Sequence, residues 1–275
     1  MADPRRTVFI VSDGTGITAE MLGRSLLTQF EGIGFHQVTV PFIDTAEKAH
    51  ACVARIQEAG RSTAVRPIVF STLVNNDIRE VIRKADAFML DFFQMALDPL
   101  EAELGAKSTH TVGRSHGTQD AKIYANRIQA INFALAHDDG LMSQEFGKAD
   151  VILIGVSRSG KTPTSIYLSL QYGVRAANCP LTPDDFDRMS LPQKLLDHRD
   201  RLFGLSIQPE RLREIRNERR PGSRYASLEN CFYEVRQAEA LMKREGIRWV
   251  NSTTKSIEEI ATTILQEFKL ERRVY

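Results

Sequence analysis

The stretch Gly155–Thr162 limits what this chain can fold into more than any other. It reads Gly155-Val156-Ser157-Arg158-Ser159-Gly160-Lys161-Thr162 and completes the phosphate-loop pattern G-x-x-x-x-G-K-[ST]. Before it runs Val151-Ile152-Leu153-Ile154, a short apolar run rich in β-branched residues, as a buried strand requires. After it, Ile166 and Leu170 recur at helical spacing, and Gly173 offers a stop. Strand, glycine loop and helix are the three parts of a phosphate cradle.

The chemistry follows from the backbone. A turn between strand and helix points several N–H groups inward, where they meet an anion at the positive end of the helix dipole. Gly155 and Gly160 allow backbone angles and a close approach that a side chain would block. Val156, Ser157, Arg158 and Ser159 complete the turn. Lys161 would reach the terminal phosphate, and the Thr162 hydroxyl would ligate Mg²⁺. Pro163 falls in the first helical turn, where a missing N–H costs little.

Composition narrows the class. The 275 residues predict one large or two modest domains with room for a real core. Lys and Arg number 36 against 35 Asp and Glu, so bulk charge predicts no nucleic acid as the main partner. Cys52, Cys179 and Cys231 are far apart and include no Cys-x-x-Cys pair. Neither a disulfide framework nor a zinc cluster is expected, and a reducing cytoplasm fits. The N-terminus lacks the apolar core of a signal peptide, and no apolar run approaches membrane-spanning length.

Along the chain, strand and helix alternate. Strands are expected at Thr7–Val11, Val38–Phe42, Pro67–Ser71 and Ala87–Asp91, and helices at Ile17–Phe30, Thr45–Ala59, Asn75–Lys84 and Phe92–Leu104. Ser12-Asp13-Gly14-Thr15-Gly16 reads either as a second anion site at a helix N-terminus or as a tight turn between strand and helix. Asp91, ending a strand, is better suited to cap a helix than to hold a metal, because the metal carboxylate of such proteins usually follows the loop. Lys107–Asp120, with His110, Arg114 and His116, reads as a long loop without metal-ligand spacing. Ala121–His137 is a strong helix ending at Asp138-Asp139-Gly140. Acidic residues at the negative end of a helix oppose its dipole, and a local conflict of this kind marks functional sites.

Beyond the loop helix, Val174–Asn178 reads as a strand and Thr182–Asp187 as an acidic loop. A strand at Arg201–Ile207 precedes a basic helix at Pro209–Arg220. Arg216, Arg219 and Arg220 share a face of that helix, either solvated or neutralising a moving phosphoryl group. Tyr225–Lys243 is a further helix and Arg248–Val250 a strand. Ile257–Phe268 is a terminal helix, with Ser256 and Glu259 forming a capping box. No internal repeat is visible. The rhythm restarts after Gly140, so the expected architecture is α/β in two parts. Residues 1–145 form an N-terminal α/β domain with a mostly parallel sheet, and residues 146–275 a P-loop kinase-like α/β domain.

Motifs and their order resemble the bacterial phosphoenolpyruvate synthase regulatory proteins, relatives of the pyruvate, phosphate dikinase regulatory proteins. The resemblance rests on Ser12–Gly16, Ala130–Leu135 through Asp138-Asp139-Gly140, and Gly155–Ser165. It continues in Leu202–Leu205, Ser223–Ser227 and Asn251–Ile260, and so spans nearly the whole chain. The Ser-Gly-Lys-Thr form of the loop favours the synthase branch. The resemblance implies a bifunctional serine/threonine-protein kinase and phosphorylase. Such an enzyme inactivates phosphoenolpyruvate synthase by phosphorylating a regulatory threonine near its catalytic phosphohistidine, with ADP as donor. It reactivates the synthase by attacking the phosphothreonine with inorganic phosphate, which releases pyrophosphate.

One cradle can serve both reactions, since a loop that binds a β-phosphate also binds free phosphate. A carboxylate would orient the threonine hydroxyl, and Asp184, Asp185 and Asp187 are the best offers in the sequence. The protein-kinase signature Asp-Phe-Gly is absent, and His198-Arg199-Asp200 lacks the Leu and Asn that complete a catalytic loop, since Arg201 and Leu205 stand there. The rival expectations are a small-molecule P-loop kinase and a non-catalytic nucleotide-sensing module; a homodimer is left open.

Overall fold

A computed structural model of the chain describes residues 5–111, 121–138 and 143–271. The chain divides into two compact units, Met1–Gly117 and Thr118–Tyr275. Each is an α/β unit built on a four-stranded, wholly parallel sheet.

In the first unit, β1 (Arg6–Val11), β2 (Phe35–Val40), β3 (Ile68–Ser71) and β4 (Phe88–Asp91) lie in the order β2-β1-β3-β4. Helices α1 (Ile17–Leu27), α2 (Ala46–Thr63) and α3 (Asn76–Ile82) connect them, and α4 (Phe92–Leu104) follows. Side chains alternate along β1, as the period of a strand demands. Phe9 and Val11 pack with Cys52 and Ile56 of α2 and Ile82 of α3, while Val8 and Ile10 pack with Ala19 and Leu27 of α1. Thr45 caps α2 by accepting the Lys48 N–H at 3.3 Å. Asp91 caps α4 by accepting the Gln94 N–H at 3.0 Å, as its place after a strand suggests.

The second unit starts with α5 (Ala121–Ala136) and then runs β5 (Val151–Gly155), α6 (Lys161–Tyr172), β6 (Ala176–Pro180) and α7 (Pro183–Arg188). It continues through β7 (Leu202–Ser206), α8 (Pro209–Arg219), α9 (Leu228–Arg244), β8 (Trp249–Asn251) and α10 (Ile257–Phe268). Its strand order is β6-β5-β7-β8. β5 is buried throughout. Val151 and Leu153 face Leu168 of α6 and Ile260 and Ile264 of α10; Ile152 and Ile154 face Phe133 of α5 and Val235 and Leu241 of α9. Ser256 and Glu259 form the expected capping box of α10. The sequence rhythm sets the seam near 145, whereas the compact units part at Gly117. Helix α5 belongs with the second unit because Phe133 enters its core and the Asn178 N–H of β6 donates to the His137 carbonyl at 3.2 Å.

A sequence without a visible repeat thus builds one topology twice. In both units the first strand sits between the second and the third, which makes its carboxyl end a topological switch point, the usual place for a ligand crevice. In both, residues 12–15 or 156–159 lead from the strand to a left-handed glycine that caps the next helix, Gly16 at φ 82° and Gly160 at φ 93°. The first-unit loop is tied down as a tight turn. Asp13 accepts the Val74 N–H at 2.6 Å, and Ser12 Oγ accepts from Gly14 N and Thr72 Oγ1, both at 3.1 Å. No helix among the described residues is long and apolar enough to cross a membrane.

Cys52, Cys179 and Cys231 are free and buried. Burial pushes all three thiols up, Cys52 to about 11. The thiolate is the reactive form. Ellman's reagent at neutral pH is therefore expected to find almost no thiol in the native protein and all three after denaturation. Fast reaction of any of them in the native state would contradict this core.

Candidate functional site

The glycine loop lies at the carboxyl end of β5, as the sequence places it. Gly155 has φ 144°, and a Cβ there would collide with the Leu205 carbonyl of β7. The Leu181 N–H donates to the Gly155 carbonyl at 3.0 Å and the Ser159 N–H to the Val156 carbonyl at 3.3 Å. Arg158 turns the chain with φ 75°, a left-handed geometry that costs a non-glycine residue about 1–2 kcal/mol. Gly160 then caps α6, whose first-turn N–H groups lack partners within the helix. Ser159 Oγ is buried without a hydrogen-bond partner inside this turn. A buried donor of this kind in a ring of N–H groups suits an anion.

Lys161 is 5 % exposed and spans the loop, its Nζ donating to the Val156 carbonyl at 2.9 Å. Ser157, Arg158, Gly160, Lys161 and Thr162 line a cavity of about 300 Å³ together with Pro163 and Ile215 of α8. Five of the eight motif residues thus line one cavity.

Thr162 Oγ1 donates to Asp138 Oδ1 at 2.8 Å. The buried Asn178 of β6 donates through Nδ2 to the same carboxylate oxygen and lies 3.4 Å from Thr162 Oγ1. The end of α5 is held for this contact. The His137 ring stacks on Phe133 at 3.9 Å, and its Nδ1 must carry the hydrogen because it faces the Phe133 carbonyl at 2.7 Å. A hydroxyl and a carboxylate are hard oxygen donors, a set that fits magnesium. Sequence reasoning did not place Asp138 among the site residues; its signals were the clash with the helix dipole and its place in the family resemblance. Asp139 and Gly140, like Arg114 and His116, lie outside the described residues. No cluster of metal-binding His, Cys, Asp or Glu occurs among the described residues, and His110 only approaches Glu101 at 4.0 Å.

Arg216 is not a lid arginine. It is 0 % exposed, and its Nη2 donates to the Ser157 carbonyl at 3.1 Å and to Glu234 of α9 at 2.6 Å. Its guanidinium lies 4.1 Å from the centre of the Tyr225 ring, and Nη1 donates to the Tyr225 carbonyl at 3.1 Å. Tyr225 in turn bonds Ser157, hydroxyl to hydroxyl, at 2.9 Å. Arg216 thus braces the loop from behind, while Arg219 and Arg220 are exposed. The arginine facing the cavity is Arg158.

The acidic stretch after β6 is a helix and not the expected loop. Thr182 precedes Pro183 at the first position of α7, and Asp185 Oδ2 accepts the Thr182 N–H at 2.8 Å and its hydroxyl at 2.7 Å. This start is a favourable one for a helix. Asp185 is buried in that role, and Asp184 is exposed. Asp187 lines a cavity of about 690 Å³ with Arg224, Tyr225, Asn230, Tyr233 and Glu234, and accepts from the Tyr233 hydroxyl at 3.3 Å. Desolvation and the neighbouring Asp187 carboxylate push the Tyr233 phenol up. Since Tyr225 lines this cavity and bonds Ser157 of the smaller one, the two adjoin.

The model of a kinase/pyrophosphorylase family matches residues 8–265. A protein of Cupriavidus pinatubonensis named "Putative phosphoenolpyruvate synthase regulatory protein" is 62% identical over 270 residues, 98% of this chain and 89% of that one. Proteins of the same name from Azoarcus sp. and Burkholderia multivorans are 61% and 60% identical, each across 99% of its own length.

The brace behind the loop can be tested by denaturation. Trp249, the single tryptophan, sits in β8 and reports the second unit. Arg216→Met strands Glu234 and is expected to cost about 3–5 kcal/mol in the urea transition followed by Trp249 fluorescence. Adding Glu234→Gln should recover part of that loss. An unchanged transition in Arg216→Met would return Arg216 to the lid.

Proposed function

The chain belongs to the kinase/pyrophosphorylase family, and on that premise we propose that it regulates phosphoenolpyruvate synthase through two reactions at one cradle. In the first, a threonine hydroxyl of the synthase attacks the β-phosphorus of ADP; the bond to the α-phosphate oxygen breaks, AMP leaves, and the hydroxyl proton passes to a base. In the second, inorganic phosphate attacks the phosphothreonine, so that pyrophosphate forms and the threonine is restored. The observation that carries the proposal is the Gly155–Thr162 loop with Lys161 laid across it, capped by a left-handed Gly160. The names of the relatives support the synthase as the target.

Backbone N–H groups of the loop and the start of α6 would bind the phosphate that both reactions share. Lys161 and Arg158 would stabilise charge on the moving phosphoryl group. Thr162 is the hydroxyl that would hold magnesium, whose chemistry when bound is to neutralise phosphate charge. Among the three carboxylates after β6, Asp187 has the best claim to orient the acceptor threonine, since it lies on the larger cavity beside the loop. Asp185 is engaged at the start of α7, and Asp184 lines neither cavity. The free buried thiols suit a reducing cytoplasm.

The direct test is intact mass of purified phosphoenolpyruvate synthase after incubation with this protein and ADP. A gain of one phosphoryl group is expected; a nucleotide-sensing module would leave the mass unchanged, and a small-molecule kinase would not act on the synthase. Lys161→Ala should lower both reactions by about two to three decades. Wild-type turnover in a folded Lys161→Ala protein would remove the loop from the active site.

A paired assay separates the carboxylates. A threonine must lose its proton as it attacks, whereas phosphate near neutral pH is already anionic. Asp187→Asn should therefore lower threonine phosphorylation by about two to four decades and pyrophosphate release by less. Asp184→Asn should resemble wild type, and Asp185→Asn should cost about 1 kcal/mol of stability. An unchanged ratio of the two rates in Asp187→Asn would place the base elsewhere.

A further inference from the structure

We propose that Asp138 is the carboxylate that holds the divalent cation beside Thr162, directly or through a bound water, and that Asn178 positions it. The inference rests on the reading of Gly155–Thr162 as a nucleotide site and adds the acidic ligand that the motif lacks. Thr162 is the only motif residue whose side chain offers a metal a hard oxygen in the position next to Lys161. Its hydroxyl is already hydrogen-bonded to Asp138 Oδ1, at 2.8 Å and across 24 residues of sequence. Two groups in such contact can share one small cation by exchanging the hydroxyl hydrogen bond for two metal–oxygen contacts.

The surroundings support a built position over a chance contact. Asp138 sits where the dipole of α5 repels a negative charge, so its placement opposes local helix energetics. The opposing contribution comes from donors brought by other elements. Asn178 is 0 % exposed and turns its Nδ2 to the same carboxylate oxygen. The Asn178 N–H also holds the His137 carbonyl, so β6 grips the residue before Asp138 as well as Asp138 itself. A buried amide that fixes a carboxylate through its side chain, and the residue before it through its backbone, is the kind of support that orients a metal ligand. The α7 carboxylates lack this arrangement: Asp185 is engaged by Thr182, and Asp187 by Tyr233.

The test uses the full chain with Mn²⁺ as the metal probe, its binding followed by electron paramagnetic resonance in the presence of ADP. ADP binding is measured separately in excess EDTA. Asp138→Asn preserves shape and is expected to weaken Mn²⁺ binding by about 10- to 100-fold, with metal-free ADP binding within about two-fold of wild type, because the cradle itself is backbone and Lys161. Asp138→Ser, which removes the carboxylate differently, should behave alike, and Asn178→Ala should weaken Mn²⁺ binding less. Unchanged Mn²⁺ affinity in both Asp138 variants overturns the proposal, even if phosphorylation falls, because Asp138 would then act on the acceptor. Failure of the wild-type protein to bind ADP at all would instead overturn the nucleotide reading beneath it, and this inference with it.

Discussion

The second unit depends on a backbone contact: Gly155, at the end of β5, lies so close to the Leu205 carbonyl of β7 that no side chain could stand between them. That contact bends the chain out of the sheet at φ 144° and starts the turn that ends on Gly160. Everything the site needs follows from where the turn leaves the sheet. Helix α6 begins on Lys161, so the lysine and the positive end of the helix meet the same space. Leu181 ties the far side of the turn to β6, Ser252 ties Ser159 to the end of β8, and Arg216 ties Ser157 to α8 and α9. A loop this short, held from three directions, has little freedom to lose on binding an anion, and preorganisation of that kind is what makes a cradle tight.

Local requirements were the legible ones. The strand, glycine turn and helix around Gly155–Thr162, the stop at Gly173 and the Ser256–Glu259 box could all be read because each depends on residues a few positions apart. The parallel α/β architecture was legible for a related reason: β5 is apolar on both faces, as a strand covered on both sides must be. What could not be read depends on partners distant in sequence. The place of α5 is decided by the core that Phe133 enters and by β6, neither of which its own helical pattern reveals. Arg216 looks like a solvated or phosphate-facing arginine until α9 supplies Glu234 and the loop supplies the Ser157 carbonyl. The α7 stretch reads as a loop because six residues are too few for helical periodicity to show; only its capping pattern betrays it.

The two units make an instructive pair. Both place a strand, four connecting residues and a left-handed glycine at a switch point. One carries Lys161 after that glycine, and the other carries Ile17. In the first unit the loop's polar side chains are spent on the protein itself, Asp13 on Val74 and Ser12 on Gly14 and Thr72. In the second, Ser159 Oγ is left buried without a partner, and Lys161 reaches across the loop to the Val156 carbonyl. The backbone device alone is therefore a way to join a strand to a helix; chemistry enters with the residues that the turn presents.

The position of Asp138 follows from what the neighbouring strands carry. In many P-loop proteins the acidic metal partner stands at the end of a strand after the loop. Here β7 ends on Ser206, whose hydroxyl bonds Glu239 and whose carbonyl takes the Ser252 N–H at 2.8 Å. β6 passes the site with Asn178, a neutral amide, and closes on Cys179 and Pro180. Neither strand brings a carboxylate to Thr162. The one that reaches it comes from the end of α5, before the loop in sequence, and Asn178 is the strand residue that receives it. A site is a set of distances and not an order of residues, so a helix entering from upstream can complete it as well as a strand following it. The cost of ending α5 on an acidic residue is the trace that this choice leaves in the sequence.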